Sequence, residues 1–213
     1  MLTVKTNKNM GIRDIVKIIK KGGIGVTPTD TIYGLVGSAL SRKAVERIYK
    51  LRERDRKKPF IVLISYLRDL KKFGIKISKS HLKILKTLWF TPSGVEGPGP
   101  TSIILTCLSK KFSYLHRGTK TIAFRLPKDK QLRNFLKKSG PLVAPSANPA
   151  AKPPAKTIKE AQKYFGDKLD FYIDGGKMKS KPSTLVSIKN GKISIIRKGT
   201  GDAKVKQLNV STR

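Results

Sequence analysis

A single cysteine occurs in the 213 residues, so neither a disulfide within the chain nor a cysteine metal cluster is available. Cys107 lies in the run Ile103-Ile104-Leu105-Thr106-Cys107-Leu108 and reads as a small core residue, not a nucleophile. Histidine is nearly as scarce. His81 and His116 stand far apart without neighbouring ligands, so no protein metal site and no Ser-His triad is expected. Neither a Gly-x-x-x-x-Gly-Lys-Ser/Thr loop nor a Gly-x-Gly-x-x-Gly fingerprint is present, which removes two familiar nucleotide-binding devices. No apolar run reaches the ~18 residues of a membrane span, and the amino terminus has no signal-peptide apolar region. The expectation is a soluble, cytoplasmic protein without membrane contact. Acidic residues are few, 13 against 47 Lys+Arg, for a formal charge of +34. That excess permits a polyanionic partner such as RNA, or phosphate-rich substrates. Lysine is spread along the whole chain, however, and marks no patch.

The 38% hydrophobic content suits one good core. Asn9 can cap a helix over 10–21 that ends at Gly22-Gly23. A strand over 24–28 follows, then a polar loop, then a helix capped by Ser41. Phe60-Ile61-Val62-Leu63-Ile64 is continuously apolar, the pattern of a strand covered on both faces. Further strands are predicted at 102–108, 121–126, 142–145, 184–188 and 192–197, with helices at 79–89, 129–138 and 157–165. The segment 91–101 carries too many prolines and glycines for regular structure. Asn190-Gly191 reads as the turn of a terminal hairpin. Interleaved strands and helices predict an α/β (α+β) fold with a mixed parallel and antiparallel sheet. One domain over 1–199 and a loose basic tail over 200–213 are expected.

Several polar segments stand at predicted strand ends, where ligand sites gather. Pro28-Thr29-Asp30-Thr31-Ile32-Tyr33-Gly34-Leu35 follows the first strand, with a turn or helix cap as the plain alternative. Arg52-Glu53-Arg54-Asp55-Arg56-Lys57-Lys58-Pro59 puts five cations at a helix end. They either complement the helix dipole or grip phosphates, for which arginine offers a planar two-pronged donor. Arg125 closes an apolar strand and there calls for an anionic partner from protein or ligand. Pro145-Ser146-Ala147-Asn148-Pro149 offers a hydroxyl and an amide after another strand, and Ser183-Thr184 and Arg197 bracket the terminal hairpin.

Taken in order, these segments resemble the YrdC/Sua5 family, the threonylcarbamoyl-adenylate synthases. The matching motifs are Pro28 to Leu35, Arg52-x-Arg54 with Lys58-Pro59, Thr121 to Pro127, Ser146-Ala147-Asn148, Ser183-Thr184 and Ile196-Arg197-Lys198-Gly199. The length is that of the short, single-domain form. The resemblance implies a twisted, YrdC/RibB-like mixed sheet with a basic concave cavity. It implies synthesis of L-threonylcarbamoyl-AMP and pyrophosphate from L-threonine, bicarbonate and ATP, with Mg²⁺ arriving on the nucleotide. The product would serve N6-threonylcarbamoylation of adenosine 37 in tRNA, through a downstream threonylcarbamoyl transferase complex. Arg52, Arg54 and Lys58 would be the catalytic cations. ATP would meet Arg54, Lys58, Thr121, Asn148, Thr157 and Arg197, and threonine would meet Thr31, Tyr33, Arg125, Ser146 and Ser183.

Four features depart from the family pattern. Arg52 replaces a lysine, Trp89 is separated from Pro98-Gly99-Pro100 by an insertion, Pro149-Ala150-Ala151 replaces Leu-Ser-Gly, and Leu63 stands where some long-form members have histidine. Two rival readings share the fold. One is a double-stranded RNA or tRNA-binding, ribosome-maturation protein that makes no adenylate. The other is a carbamoyl-transfer domain of the hydrogenase-maturation kind.

Overall fold

The computed structural model describes residues 10–55, 57–90, 100–189, 192–201 and 211–212. Its strands are β1 (Ile24–Pro28), β2 (Tyr33–Ser38), β3 (Ile61–Leu63), β4 (Thr101–Thr106), β5 (Thr121–Arg125), β6 (Leu142–Val143), β7 (Phe171–Tyr172), β8 (Thr184–Lys189), β9 (Lys192–Arg197) and β10 (Ser211–Thr212). The principal helices are α1 (Ile12–Lys20), α2 (Arg42–Arg52), α3 (Lys79–Trp89), α4 (Ser113–His116), α5 (Lys130–Ser139) and α6 (Ile158–Phe165). All ten strands join one sheet in the order β10-β9-β8-β4-β5-β3-β6-β2-β1-β7. β3 with β5, β4 with β8 and β1 with β7 are parallel, while β1 with β2 and β4 with β5 are antiparallel. The mixed sheet expected from the alternation of elements is present.

Side-chain alternation splits the core in two. One face of the sheet carries Val26, Leu35, Val62, Ile103, Phe124 and Val143, packed under α2, α3 and α6. The other face carries Val36, Leu63, Leu142 and Phe171, covered by α1 and α5 through Ile15, Ile19, Leu132 and Phe135. Strand β3 therefore has Val62 in one core and Leu63 in the other, as its unbroken apolar run predicts. On this second face the helical cover stops short. Ile104, Ala123 and Leu185 share it by register and remain partly exposed. The uncovered half of the sheet is the floor on which a site can form.

Several boundaries differ from the sequence expectation. The polar loop is only residues 29–32; Tyr33 to Ser38 form β2 and return antiparallel along β1. Its two glycines hide the strand pattern. At Gly37 an added Cβ would lie 2.8 Å from Ile24 and 3.2 Å from Ile48 of α2, so helix and sheet approach only over a bare backbone. Asn9 lies outside the described residues; α1 is capped by Gly11, whose amide donates to Asp14 Oδ2 at 3.1 Å. The short strand β7 gave no periodic signal. The tail is not wholly loose, since β10 pairs in parallel with β9 at Ser211↔Ser194. Residues 91–99 and the turn 190–191 lie outside the described residues.

Phe124 is fully buried at the centre of β5 and meets Phe73 edge-on at 5.1 Å. Phe124→Ala is expected to cost about 3–5 kcal/mol of stability, measured as a shift in the urea midpoint at unchanged slope.

Candidate active site

At the ends of β1 and β5, where helical cover is missing, a cleft opens over the sheet. Its wall begins with the turn between β1 and β2. The Thr29 hydroxyl donates to Ile32 O at 2.7 Å and accepts from the amides of Thr31 and Ile32. The Thr29 and Thr31 hydroxyls share a hydrogen bond at 3.1 Å. Thr31 Oγ1 also accepts from Arg125 Nη1 at 3.2 Å. A second wall is the segment 145–147, which runs beside β2 through Leu35 N to Pro145 O and Ala147 N to Tyr33 O, both 2.9 Å. That pairing sets Ser146 opposite Gly34 on the cleft.

Helix α2 delivers the next group. It ends with Glu53 in the left-handed region, φ 50°, so the chain turns sharply between Arg52 and Arg54. Arg52 points inward and is 2% exposed. Its Nε donates to Asn148 O at 2.8 Å, and its Nη2 donates to Ser146 Oγ and Asn148 Oδ1, each at 3.1 Å. None of these oxygens carries charge. Burial, with the neighbouring Arg54 second, lowers the Arg52 pKa to about 10. Arg54 lies over the Phe60 ring at 5.8 Å and donates to Lys58 O at 3.3 Å.

The last wall comes from the chain's end. Gly199 passes so close to the Pro182–Thr184 backbone that an added Cβ would sit 2.2 Å from Pro182 O. Thr200 N seals the contact by donating to Pro182 O at 3.0 Å. Arg197 Nη2 donates to Ser183 O at 2.9 Å, and the Ser183 hydroxyl meets that of Ser102 at 2.8 Å. Burial first, then Arg125 and Arg54 as like charges, lower the Arg197 pKa. Opposite, Arg125 Nη2 stands 2.9 Å from Asp30 Oδ1, with both side chains 6% exposed. The expected anionic partner of Arg125 is thus found within the protein.

Seven of the sequence candidates line this cleft together: Thr31, Arg52, Arg54, Arg125, Ser146, Ser183 and Arg197. Five do not. Tyr33 points the other way: its hydroxyl donates to Gly176 O at 2.7 Å and accepts from Gly175 N at 2.9 Å. Alternation along β2 explains this, because Gly34 takes the cleft-facing position. Asn148 is fully engaged by Arg52, Pro149 O and Lys152 O and acts as a brace behind Ser146. Thr157 caps α6, accepting from Glu160 N at 3.2 Å. Lys58 is exposed beyond the rim. Thr121 shares a face with Ala123 and Arg125 but stands at the far end of β5, bonded to Thr119.

The sequence reading missed Asp30 as the partner of Arg125, Ser102 as the support of Ser183, and the apolar lining from Pro59, Phe60 and Ala123. The Thr-Asp-Thr run signalled polarity, but its pairing across the sheet needed the register. Among the described residues the cleft wall holds four arginines and no acid, so with Asp30 behind Arg125 their local excess is three positive charges. Such a site suits a ligand rich in anionic oxygen.

Tyr33 ties the hairpin to the 174–176 segment, and burial, ahead of Asp174, raises its pKa to about 12. A group held protonated in the fold stabilises fully below the ordinary 10 and loses that contribution as pH climbs through 12. Tyr33→Phe is expected to cost about 1 kcal/mol at neutral pH. It should also shallow the alkaline decline between those limits in urea titrations, Tyr172 supplying a remainder.

Comparison with known proteins agrees with this architecture. The Sua5/YciO/YrdC family model, described as "Telomere recombination", matches residues 17–199. A Methanocaldococcus jannaschii protein provisionally named threonylcarbamoyl-AMP synthase is 34% identical over 185 residues, 86% of this chain and 83% of the relative. Pyrococcus abyssi Sua5, solved in complex with L-threonine, superposes with a TM-score of 0.76 at 28% identity. That match covers 88% of this chain but 54% of the longer protein. Escherichia coli YciO superposes with a TM-score of 0.75 at 26% identity over 91% of both chains. With the family model spanning most of its length and the same sheet underneath, the chain belongs to the Sua5/YciO/YrdC family.

Proposed function

We propose that this protein is an L-threonylcarbamoyl-AMP synthase, a nucleotidyltransferase that joins L-threonine, bicarbonate and ATP and releases pyrophosphate, supplying tRNA threonylcarbamoylation. The observation that carries the reading is the convergence of three hydroxyls, Thr31, Ser146 and Ser183, with four guanidiniums on one cleft whose described lining holds no acid. Names of relatives and the threonine-bound P. abyssi neighbour support it.

Threonine's amine and bicarbonate form a carbamate with little acid–base help. The carbamate oxygen then attacks the α-phosphorus, and charge accumulates on the departing pyrophosphate. Two anions must meet, so fixed cations and alignment carry the catalysis, not a tuned general base. Arg125, with Thr31, Ser146 and Ser183 around it, would take the amino-acid carboxylate and hydroxyl. Arg52, Arg54 and Arg197 would hold the triphosphate, and their partners in the protein are neutral oxygens that compete weakly with phosphate. Lys58 at the rim would reach the outer phosphates. Thr121, on the open sheet beyond Ala123, would meet the nucleoside side. Asn148 would serve ATP indirectly, by holding Arg52, and Thr157 would act through the start of α6. Magnesium would ride on the nucleotide's own phosphate oxygens, since among the described residues no cleft-lining side chain is a carboxylate. Direct tRNA contact and delivery to a threonylcarbamoyl transferase complex complete the proposal, the charge of +34 suiting the former. No helix among the described residues is long and apolar enough to cross a membrane.

Mass spectrometry of purified protein incubated with the three substrates should detect threonylcarbamoyl-AMP, and no product under saturating substrate would refute the assignment. In threonine- and bicarbonate-dependent ATP–pyrophosphate exchange, Arg54→Ala should lose about 3 kcal/mol of transition-state binding. Near-normal exchange would remove Arg54 from the site.

A further inference from the structure

The carboxylate of Asp30 is in the wrong place to be a ligand-binding group and in the right place to control one. Both of its oxygens are buried, and neither makes an aligned hydrogen bond among the described residues. Its close charge contact is Arg125 Nη2, at 2.9 Å. Arg125 in turn lines the cleft and gives Nη1 to Thr31, while its buried Nε has no hydrogen-bond partner among the described residues. The guanidinium is therefore oriented from behind by Asp30, while its Nη1 side serves Thr31 where Arg125 lines the cleft.

We propose that Asp30 is a positioning residue that acts through Arg125 to make this end of the cleft select a zwitterion over a plain anion. The inference rests on the reading of the cleft as an amino-acid and nucleotide site. Arg125 stands near enough to Arg197 for the two to act on each other as like charges. With Arg125 uncompensated, all the cleft's guanidiniums would form one continuous anion trap, and inorganic phosphate or a misplaced triphosphate would fill the amino-acid end. Asp30 cancels the charge at that end. An α-carboxylate can still meet the part of Arg125 that lines the cleft, and the adjoining α-amino group meets no net positive field. The phosphate end, with Arg52, Arg54 and Arg197, keeps its excess. One carboxylate thus divides the cleft into a region for a neutral dipolar ligand and a region for a polyanion.

Calorimetric titration of the full chain tests this, with L-threonine and inorganic phosphate as separate ligands. Asp30→Asn keeps the shape and removes the charge. It should tighten phosphate by about tenfold and weaken L-threonine by a similar factor, an opposed shift of the size one nearby charge produces in a partly solvated site. Asp30→Glu, which retains the charge, should restore the original order of preference. Parallel weakening of both ligands would mean that Asp30 only holds the fold together, and unchanged affinities would mean it does nothing at the cleft; either overturns the proposal. Should Asp30→Asn fail to fold, the unsubstituted protein still decides. It should bind 3-hydroxybutanoate, which keeps the carboxylate and hydroxyl but lacks the amine, at least about tenfold more weakly than L-threonine. Equal or tighter binding of that analogue overturns the selection. Absence of any threonine binding by the unsubstituted protein overturns the synthase reading and this inference with it, whereas threonine binding without the opposed shift overturns the inference alone.

Discussion

Guanidinium groups kept inside a protein without matching carboxylates are the constraint around which this molecule is built. Removing such a group from water costs far more than one neutral hydrogen bond returns, so each must be surrounded by correctly placed oxygens. Arg52 obtains three, from Asn148 O, Asn148 Oδ1 and Ser146 Oγ. Arg197, more exposed at the cleft mouth, needs only the carbonyl of Ser183. Because the partners are dipoles, the positive charges remain available to a ligand. Much local geometry follows from this arrangement, including the left-handed Glu53, the brace at Asn148 and the bare backbone at Gly199.

The sheet supplies the rigidity that such placement needs. One face is packed beneath α2, α3 and α6, and α1 with α5 covers only part of the other. The site occupies the remainder, fed by strand ends and turns from β1, β5, β6 and β8. A cleft so founded cannot collapse on itself, since its floor is bonded backbone. Its groups are pre-set for a negatively charged ligand, which is how electrostatic catalysis avoids reorganisation during reaction.

Much of the architecture was legible because its signals are local. Continuous apolarity marked β3, Ser41 marked the start of α2, and apolar spacing placed α5 and α6. Strand β2 was not legible, because Gly34 and Gly37 are there to admit neighbouring groups and so carry no apolar alternation. Strands β7 and β10 are two residues long and exist only through their partners. In the site, the arginines and hydroxyls were nameable from their motifs, but which faced inward was not. Tyr33 and Thr31 are two residues apart, yet one serves a buried tie and the other the cleft, since the turn between them shifts the face. Asn148 and Thr157 have polar groups that satisfy backbone and a neighbouring arginine, a use that composition cannot separate from ligand binding.

The amino-acid sequence alone determined the order and type of the main elements, the family to which their motifs belong, and an overwhelming cationic excess. These depend on neighbours within a few positions or on simple counting. Tertiary structure alone decided that Asp30 stands behind Arg125, that Ser102 supports Ser183, and that four arginines from α2, its following turn, β5 and β9 face one hollow. Those relations join residues tens of positions apart, and only strand register and the incomplete helical cover bring them within ångströms of each other.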